Sequence, residues 1–190
     1  MYITNKNLIW SKGYLNNEYS NKSTLETSDP NEIIALIKNT KDVIFIRNGS
    51  AHHDCNDLDI FVNNLHILTK PCILITSDGD RSVPSSYDKN ICLKILYHKN
   101  IKKWYTQNYD KSIVHAKLGH YPIGFDLHTN MWLINNSVSE KINFMINCRN
   151  KYNTNARISN KIFSDTHHCI SHPIRYEIYN IIKNNPIFVL

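Results

Sequence analysis

The chain has 190 residues, of which 42% are hydrophobic, and its formal net charge is +6. The hydrophobic fraction excludes wholesale disorder. No apolar run approaches the about 18 residues of a membrane span. The basic residues are mostly scattered, which argues against nucleic acid as a partner. Five cysteines, an odd number without a CxxC pair, argue against a disulfide framework or zinc ribbon and favour a reducing, cytoplasmic setting.

The first part of the chain alternates predicted helices with apolar strands. Residues 1–27 are polar and irregular, and one short strand is expected there. A helix is predicted to begin after Asp29, because Asp29 can cap it, Pro30 suits its first position and Glu32 suits a capping box. Buried strands are predicted over 42–49 and 71–80, and two further strands over 101–108 and 116–124. Further helices are predicted over 57–68, 88–98 and 137–150.

A domain boundary is predicted where the chain becomes polar, rich in asparagine and aperiodic, over residues 150–160. The rhythm then restarts, with a strand and loop over 161–169, a helix over 172–185 and a strand over 186–190. Two domains are therefore expected, over 1–150 and 151–190. Alternating helices and buried strands predict an α/β fold with a mostly parallel sheet.

Candidate ligand-binding residues follow the predicted strands, because ligands of parallel sheets bind beyond the carboxyl ends of the strands. Ser77, Asp78 and Asp80 come directly after an apolar run. These side chains suit binding of a sugar hydroxyl, and a carboxylate at this position suits a general base. The competing interpretation is a capped turn, because Asp-Gly is a turn dipeptide. Neither GxxxxGK[ST] nor GxGxxG is present.

A second group of candidates lies between residues 104 and 128. It combines an aromatic ring, two amides, a Pro-Ile-Gly turn and a carboxylate, a mixture that carbohydrate-binding sites use; its members are Trp104, Gln107, Asn108, Gly124, Asp126 and His128. Trp104 and Tyr105 alternate across a predicted strand, so one ring is expected to face a cleft, unless both simply pack in the core.

Metal ligands are also considered, because "AHHDC" (51–55) and "THHCISH" (166–172) contain ligand residue types. Adjacent histidines on a strand point to opposite faces. Pro173 biases His172 away from helix, which spoils an i, i+4 pair with His168. Polar loop histidines are the simpler interpretation, and no metal is expected.

Arg175 lies in the first turn of the last predicted helix. A helix N-terminus offers unpaired N–H groups and a positive dipole end, and a guanidinium group adds bidentate contacts to phosphate. Arg175 is therefore a candidate phosphate ligand, with a solvated surface position as the alternative.

Three segments in order, "ITSDGD", "IKKWYTQNYD" and "HAKLGHYPIGFDLHT", resemble exostosin-like glycosyltransferases of large DNA viruses and bacteria. The resemblance covers about residues 42–190, and the last thirty residues are also similar to a segment of fucosyltransferases. It implies a GT-B-type architecture of two Rossmann-like halves. Residues 1–150 then form the acceptor-side domain, and 151–190 form the opening strand–helix–strand of a truncated donor-side domain.

The resemblance implies sugar transfer from a nucleotide sugar to a hydroxyl acceptor when the donor half is supplied, for example by a partner chain. Asp78 and Asp126 are then candidate catalytic bases, and Arg175 is the donor-phosphate ligand. The implied substrate-binding residues are Ser77, Asp80, Trp104, Gln107, Asn108, Gly124 and His128. No cofactor is implied beyond the nucleotide sugar, and a viral member would act in the host cytoplasm. The isolated chain is expected to bind nucleotide sugars weakly.

Two alternative functions stay open at this point. One is a non-catalytic carbohydrate-binding or interaction module on the same scaffold. The other is an unrelated α/β protein that binds a phosphorylated ligand at the helix of Arg175.

Overall fold

The structure is a computed structural model that describes residues 9–10, 13–14, 27–40, 42–49, 55–124, 138–152, 162–163 and 173–189. The chain forms two compact units, over residues 1–146 and 147–190. None of the helices in these ranges is long and apolar enough to cross a membrane.

The first unit contains six strands and most of the helices. Its strands are β1 (Ile9–Trp10), β2 (Gly13–Tyr14), β3 (Val43–Gly49), β4 (Cys72–Gly79), β5 (Ile101–Thr106) and β6 (Leu118–His120). Its helices are α1 (Pro30–Lys38), α2 (Asp57–Asn63), a 3-10 turn (Leu65–Ile67), α3 (Lys89–Tyr97) and the first part of α4 (Val138–Tyr152). Strands β1 and β2 pair antiparallel, where one short strand was predicted.

The central sheet has the order β3-β4-β5-β6, and all three neighbouring pairs are parallel. The predicted α/β, Rossmann-like fold with a parallel sheet flanked by helices is thereby confirmed. The strands lie in the sheet in the same order as in the chain. Right-handed crossovers between them therefore place the connecting helices on the same face of the sheet. Ile46, Leu74 and Trp104 of the strands accordingly share one buried cluster with Phe61 of α2 and Ile95 of α3.

The opposite face of the sheet carries a smaller apolar cluster. Phe45, Ile75 and Tyr121 form it, and the partly buried Ile73 and Tyr105 pack against it. Because side chains alternate along a strand, β3 and β4 place apolar residues on both faces. This explains why both strands read as continuous apolar runs in the sequence.

The starts of α1 and α3 follow local sequence signals. The Asp29 carboxylate accepts a hydrogen bond from the Asn31 N–H at 2.9 Å, as predicted, and Asp88 caps α3 in the same way. Helix α2, however, ends at Asn63 and not near residue 68. The Asn64 side chain donates to the Ile60 carbonyl at 2.8 Å, and the backbone then tightens into the 3-10 turn.

The second unit contains the predicted strand–helix–strand. Its strands β7 (Ile162–Phe163) and β8 (Phe188–Val189) pair in parallel, and helix α5 (Pro173–Ile182) lies between them in the chain. Helix α4 continues to Tyr152, so the predicted boundary at residue 150 falls in its last turn. The rest of the predicted linker, 153–160, lies outside the described residues.

Candidate functional site at the carboxyl edge of the sheet

Three neighbouring strands end in polar residues on one edge of the sheet. We call this region the carboxyl edge and define it as Arg47–Gly49, Ser77–Gly79 and Thr106–Asn108. The apolar part of each strand precedes these residues, so the sheet is anchored in the core and presents its polar ends at one side. Because the strands are parallel, side chains that are about 30 residues apart in sequence come together.

The predicted residues Asp78, Gln107 and Asn108 belong to one hydrogen-bond network. The Asp78 N–H donates to Gln107 Oε1 at 3.1 Å. The carbonyl oxygen of Gly79 accepts from Gln107 Nε2 at 3.3 Å and from Asn108 Nδ2 at 2.9 Å. The two amide side chains therefore hold the end of β4 in a fixed position beside the end of β5.

The backbone at this edge adopts an uncommon conformation at two of the predicted residues. Asp78 has φ +59° and Asn108 has φ +58°, in the left-handed region that L-residues other than glycine seldom use. Asp78 is also only 8% exposed. Left-handed, buried polar residues cluster at binding and catalytic sites, where the surrounding structure holds them in place. This observation makes Asp78 a stronger candidate than its sequence alone did.

Two glycines allow β3 and β4 to approach each other closely at the edge. Gly49 and Gly79 are register partners, and a Cβ atom on Gly79 would lie 2.1 Å from the Gly49 carbonyl oxygen. Only glycine fits at residue 79 without a backbone shift. The Asp80 N–H then donates to the same Gly49 oxygen at 3.1 Å, and the Asp80 side chain is exposed.

Ser77 is fully buried, at 0% exposure, and its Oγ makes no hydrogen bond to any described group. An unpaired buried hydroxyl loses the free energy of its hydration without compensation, so it is an uncommon feature. Ser77 is the register partner of Arg47 on β3, and neighbouring side chains in this register share a face of the sheet. The hydroxyl therefore lies among the polar residues of the edge, with its donor unused.

Arg47 was not identified from the sequence. Its guanidinium group forms a bidentate pair with the Asp57 carboxylate, with Nε to Oδ2 at 2.6 Å and Nη2 to Oδ1 at 2.9 Å, and both side chains are buried. The Ser28 hydroxyl also donates to Asp57 and accepts from the Asn56 N–H. Burial, with the Asp57 charge second, raises the pKa of the neighbouring Cys55 thiol. The Arg47–Asp57 pair, with the Ser28 hydroxyl, holds the start of α2 against the end of β3.

Asn48 was also not identified, and it joins the carboxyl edge to the loop that precedes α3. The side chain is fully buried, and Nδ2 donates to the Arg81 carbonyl at 2.6 Å. The Tyr87 hydroxyl donates to the Asn48 backbone carbonyl, and burial raises the pKa of Tyr87. The signal in the sequence was the polar triplet "RNG" at the end of an apolar run, the same pattern that identified Ser77 and Asp78.

The structure corrects the predicted position of Trp104. Its side chain is 0% exposed and packs in the main core, so it does not line the rim of a cleft. Its indole Nε1–H donates to Thr76 Oγ1 at 2.9 Å, the Thr76 hydroxyl donates to Thr106 Oγ1 at 2.7 Å, and the Thr106 hydroxyl donates to the Gln107 carbonyl at 2.9 Å. This relay of hydrogen bonds gives the buried indole N–H an acceptor. It ends at the Gln107 carbonyl, so it also helps to hold Gln107 in position.

Two loops beyond the edge are joined through Asp110. Its carboxylate accepts from the Ser85 N–H at 3.0 Å and from the Ser112 N–H at 2.7 Å. Slight burial opposes ionisation, but the hydrogen bonds from Ser85 and Ser112 outweigh it and lower the pKa of Asp110 to about 2. The loop 80–88 is thereby fixed to the segment that follows β5.

The remaining predicted residues divide between the exposed surface and the undescribed parts of the chain. Gly124 is exposed and has φ +73°, which suits the predicted turn. Asp126 and His128 lie outside the described residues, as do the predicted metal-ligand types other than Cys55. Arg175 lies in the first turn of α5, as predicted, and its side chain is outside the described part. No cluster of three or more metal-ligand residue types occurs within the described ranges.

The fold and the edge together define a Rossmann-like α/β protein with a rigid, buried polar network at the carboxyl ends of β3, β4 and β5. Comparison of the chain with protein-family models, with curated proteins and with solved structures gives no match. The site must therefore be interpreted from its own residues.

Proposed function

We propose that this chain carries, in residues 1–150, the acceptor-side domain of a GT-B-type glycosyltransferase, which transfers a sugar from a nucleotide sugar to a hydroxyl when a donor-side half is supplied. One observation carries the proposal. Asp78 of "TSDGD" and Gln107 of "WYTQN", the motif segments on which the resemblance rests, join through a hydrogen bond 29 residues apart in sequence. Residues of one site are expected to converge in this way, and ligands of parallel sheets bind at this edge.

The contacts divide the predicted residues into two roles. Gln107 uses Oε1 and Nε2 within the protein, and Asn108 donates its amide to Gly79, so we assign both as positioning residues. Asp78 then contacts the acceptor, and its carboxylate takes the proton of the attacking hydroxyl as general base while the nucleoside diphosphate leaves the transferred sugar. Ser77 is fully buried, so its hydroxyl donates to an acceptor oxygen only when the edge opens to admit the ligand.

A fixed backbone at Asp78 serves this chemistry, because a general base must lie within about 3 Å of the hydroxyl that it deprotonates. The Gly79 carbonyl accepts two amide hydrogen bonds, and the Gly49–Gly79 contact locks the register of β3 and β4. The base is therefore presented on strands whose positions are set by the core, an arrangement that limits loss of geometry through motion.

The test compares Asp78→Asn with Asp42→Asn, a matched control whose exposed side chain precedes β3 at the opposite edge of the sheet. Binding of a panel of oligosaccharides is followed by saturation-transfer NMR, and sugar transfer is measured with a panel of nucleoside-diphosphate sugars in the presence of a donor-side partner. We expect Asp78→Asn to remove transfer and weaken acceptor binding, whereas Asp42→Asn keeps both within a few-fold. Wild-type behaviour of Asp78→Asn would contradict its role as base.

A non-catalytic carbohydrate-binding module is the second candidate, and one observation favours it. The amide groups at the edge are bound within the protein and form a rigid rim, a feature that binding needs and that does not by itself require turnover. Oligosaccharide binding that depends on Ser77 and Asp78, without transfer from any nucleotide sugar in the presence of a donor-side partner, would select this function.

A further inference from the structure

The positive charge of the chain is concentrated in one segment. Residues 89–124 contain seven lysines and one carboxylate, which gives a formal charge of +6, equal to the +6 of the whole chain. The chain has 22 basic and 16 acidic residues, and fifteen of each lie outside this segment, so their formal charges cancel. A surface with this imbalance attracts anionic partners.

The fold gathers four of these lysines near the amino ends of β5 and β6, opposite to the carboxyl edge. We call Lys99, Lys102, Lys103 and Lys117, together with Tyr97, His98 and His115, the lysine patch. Lys117 Nζ donates to the His98 carbonyl at 3.0 Å, and Lys103 Nζ donates to the Ala116 carbonyl at 2.7 Å. These contacts hold the turn before β5 against the turn before β6.

Within the described ranges, no acidic side chain pairs with the charges of the patch. The ammonium groups of Lys102, Lys103 and Lys117 donate to backbone carbonyls, and none of the four lysines pairs with a carboxylate in the described part of the chain. Asp110 lies beyond the opposite end of β5 and is bound by Ser85 and Ser112. Burial and the neighbouring charges of Lys117 and Lys99 lower the pKa of His98.

The patch also contains an exposed aromatic ring. Tyr97 is 73% exposed, at the last residue of α3, and its ring meets the His115 imidazole edge-on with centroids 5.7 Å apart. Most of the Tyr97 side chain is thus accessible to a partner. Positive charges near an exposed aromatic ring match a strand in which phosphates alternate with stackable bases.

We propose that the lysine patch binds single-stranded nucleic acid, with phosphates on the lysines and a base stacked on Tyr97. The inference is independent of the sugar-transfer proposal. The sequence argued against nucleic acid because most basic residues are scattered and "HKNIKK" is only a small cluster, and the fold weakens that argument by placing Lys117 beside this cluster. An anionic lipid surface would also use the charges, and tyrosine is common at the headgroup level, so we take anionic membrane as the competing outcome that the vesicle assay separates.

The test uses fluorescence anisotropy with a labelled 20-nucleotide oligo(dT) and 20-nucleotide oligo(U). Four phosphate contacts on a single strand give a slope of log K against log salt of about −2.8, which weakens binding about 50-fold between 50 and 200 mM salt. The test variant is Lys99→Gln/Lys102→Gln, because these exposed side chains do not hold the two turns together. The control is Lys89→Gln/Lys111→Gln, which removes the same charge from exposed positions near the opposite edge.

We expect the test variant to lose about tenfold in affinity at 50 mM salt and to flatten the slope by about 1.4, whereas the control changes both much less. Tyr97→Ala should weaken binding by about fivefold or more through lost stacking, with an unchanged slope. Circular dichroism melts establish that each variant is folded. Equal losses in test and control variants, no binding by the wild type, or binding to phosphatidylserine vesicles without binding to either oligonucleotide would each overturn the proposal.

Discussion

The close contact of Gly49 and Gly79 makes a sharp prediction for Gly79→Ala. The new Cβ would lie 2.1 Å from the Gly49 carbonyl oxygen and 2.6 Å from its nitrogen, and both are backbone atoms that cannot rotate away. β3 and β4 must separate locally, and overpacking of this kind costs about 1–3 kcal/mol, or more where the backbone must shift. We expect a loss of about 3 kcal/mol in the free energy of unfolding.

The matched control is Gly119→Ala on β6. Its Cβ would meet only the Tyr105 ring, at 3.2 Å, and a side chain at the partly buried face can move by a few tenths of an ångström. Urea denaturation followed by circular dichroism measures both variants. With about 2–4 °C per kcal/mol for a chain of this size, Gly79→Ala should melt about 6–12 °C below the wild type. A change below about 0.5 kcal/mol for Gly79→Ala, or a larger loss for Gly119→Ala, would refute the steric argument.

Three further predictions concern single side chains. Thr76→Val leaves the buried Trp104 N–H without an acceptor, so chemical denaturation should show a loss of about 1–3 kcal/mol; a neutral result would mean that the relay adds no stability. Asp110→Asn removes a carboxylate whose pKa is lowered to about 2 in the folded protein. The ionised carboxylate therefore stabilises the fold above the ordinary pKa near 3.8, and this stabilisation disappears as the pH falls towards 2. The stability difference between wild type and Asp110→Asn should therefore be largest near neutral pH and vanish near pH 2, and a difference that grew in acid would contradict this sign. Lys117→Gln removes one positive neighbour of His98, so NMR titration should show a higher pKa for that imidazole, whereas Lys111→Gln should leave it unchanged.

The elements of the fold could be predicted because each depends on local signals. Asp29 and Asp88 cap their helices. Short apolar runs rich in β-branched residues, such as "VIFI" at 43–46, are typical of buried strands. The convergence of Asp78 and Gln107 followed from one further step, the shared edge of parallel strands. The end of α2 was missed because Asn64 terminates the helix within a continuing apolar pattern.

The side-chain environments could be predicted less well, since they depend on which face of the sheet the helices cover. Alternation separates Trp104 from Tyr105, but it does not say which ring enters the larger core, and the structure buries Trp104. In the sequence, Arg47 is a charged residue at the end of an apolar strand. Its pairing with Asp57 could not be predicted, because it depends on how α2 packs on the sheet. Three lysines of the patch form a small cluster in the sequence, "HKNIKK", and the fold adds Lys117 beside them.

The strand order of the sheet has a consequence for synthesis on the ribosome. Each strand from β4 to β6 pairs with the strand that emerged immediately before it, so no strand must wait for a partner encoded far downstream. The sheet can therefore grow outward from β3 as the chain leaves the exit tunnel, and loop closure stays short at every addition. We expect nascent chains arrested after β5 to protect the amides of β4 already, which hydrogen exchange on stalled ribosomes measures; unprotected β4 amides at that stage would show that folding awaits the complete sheet.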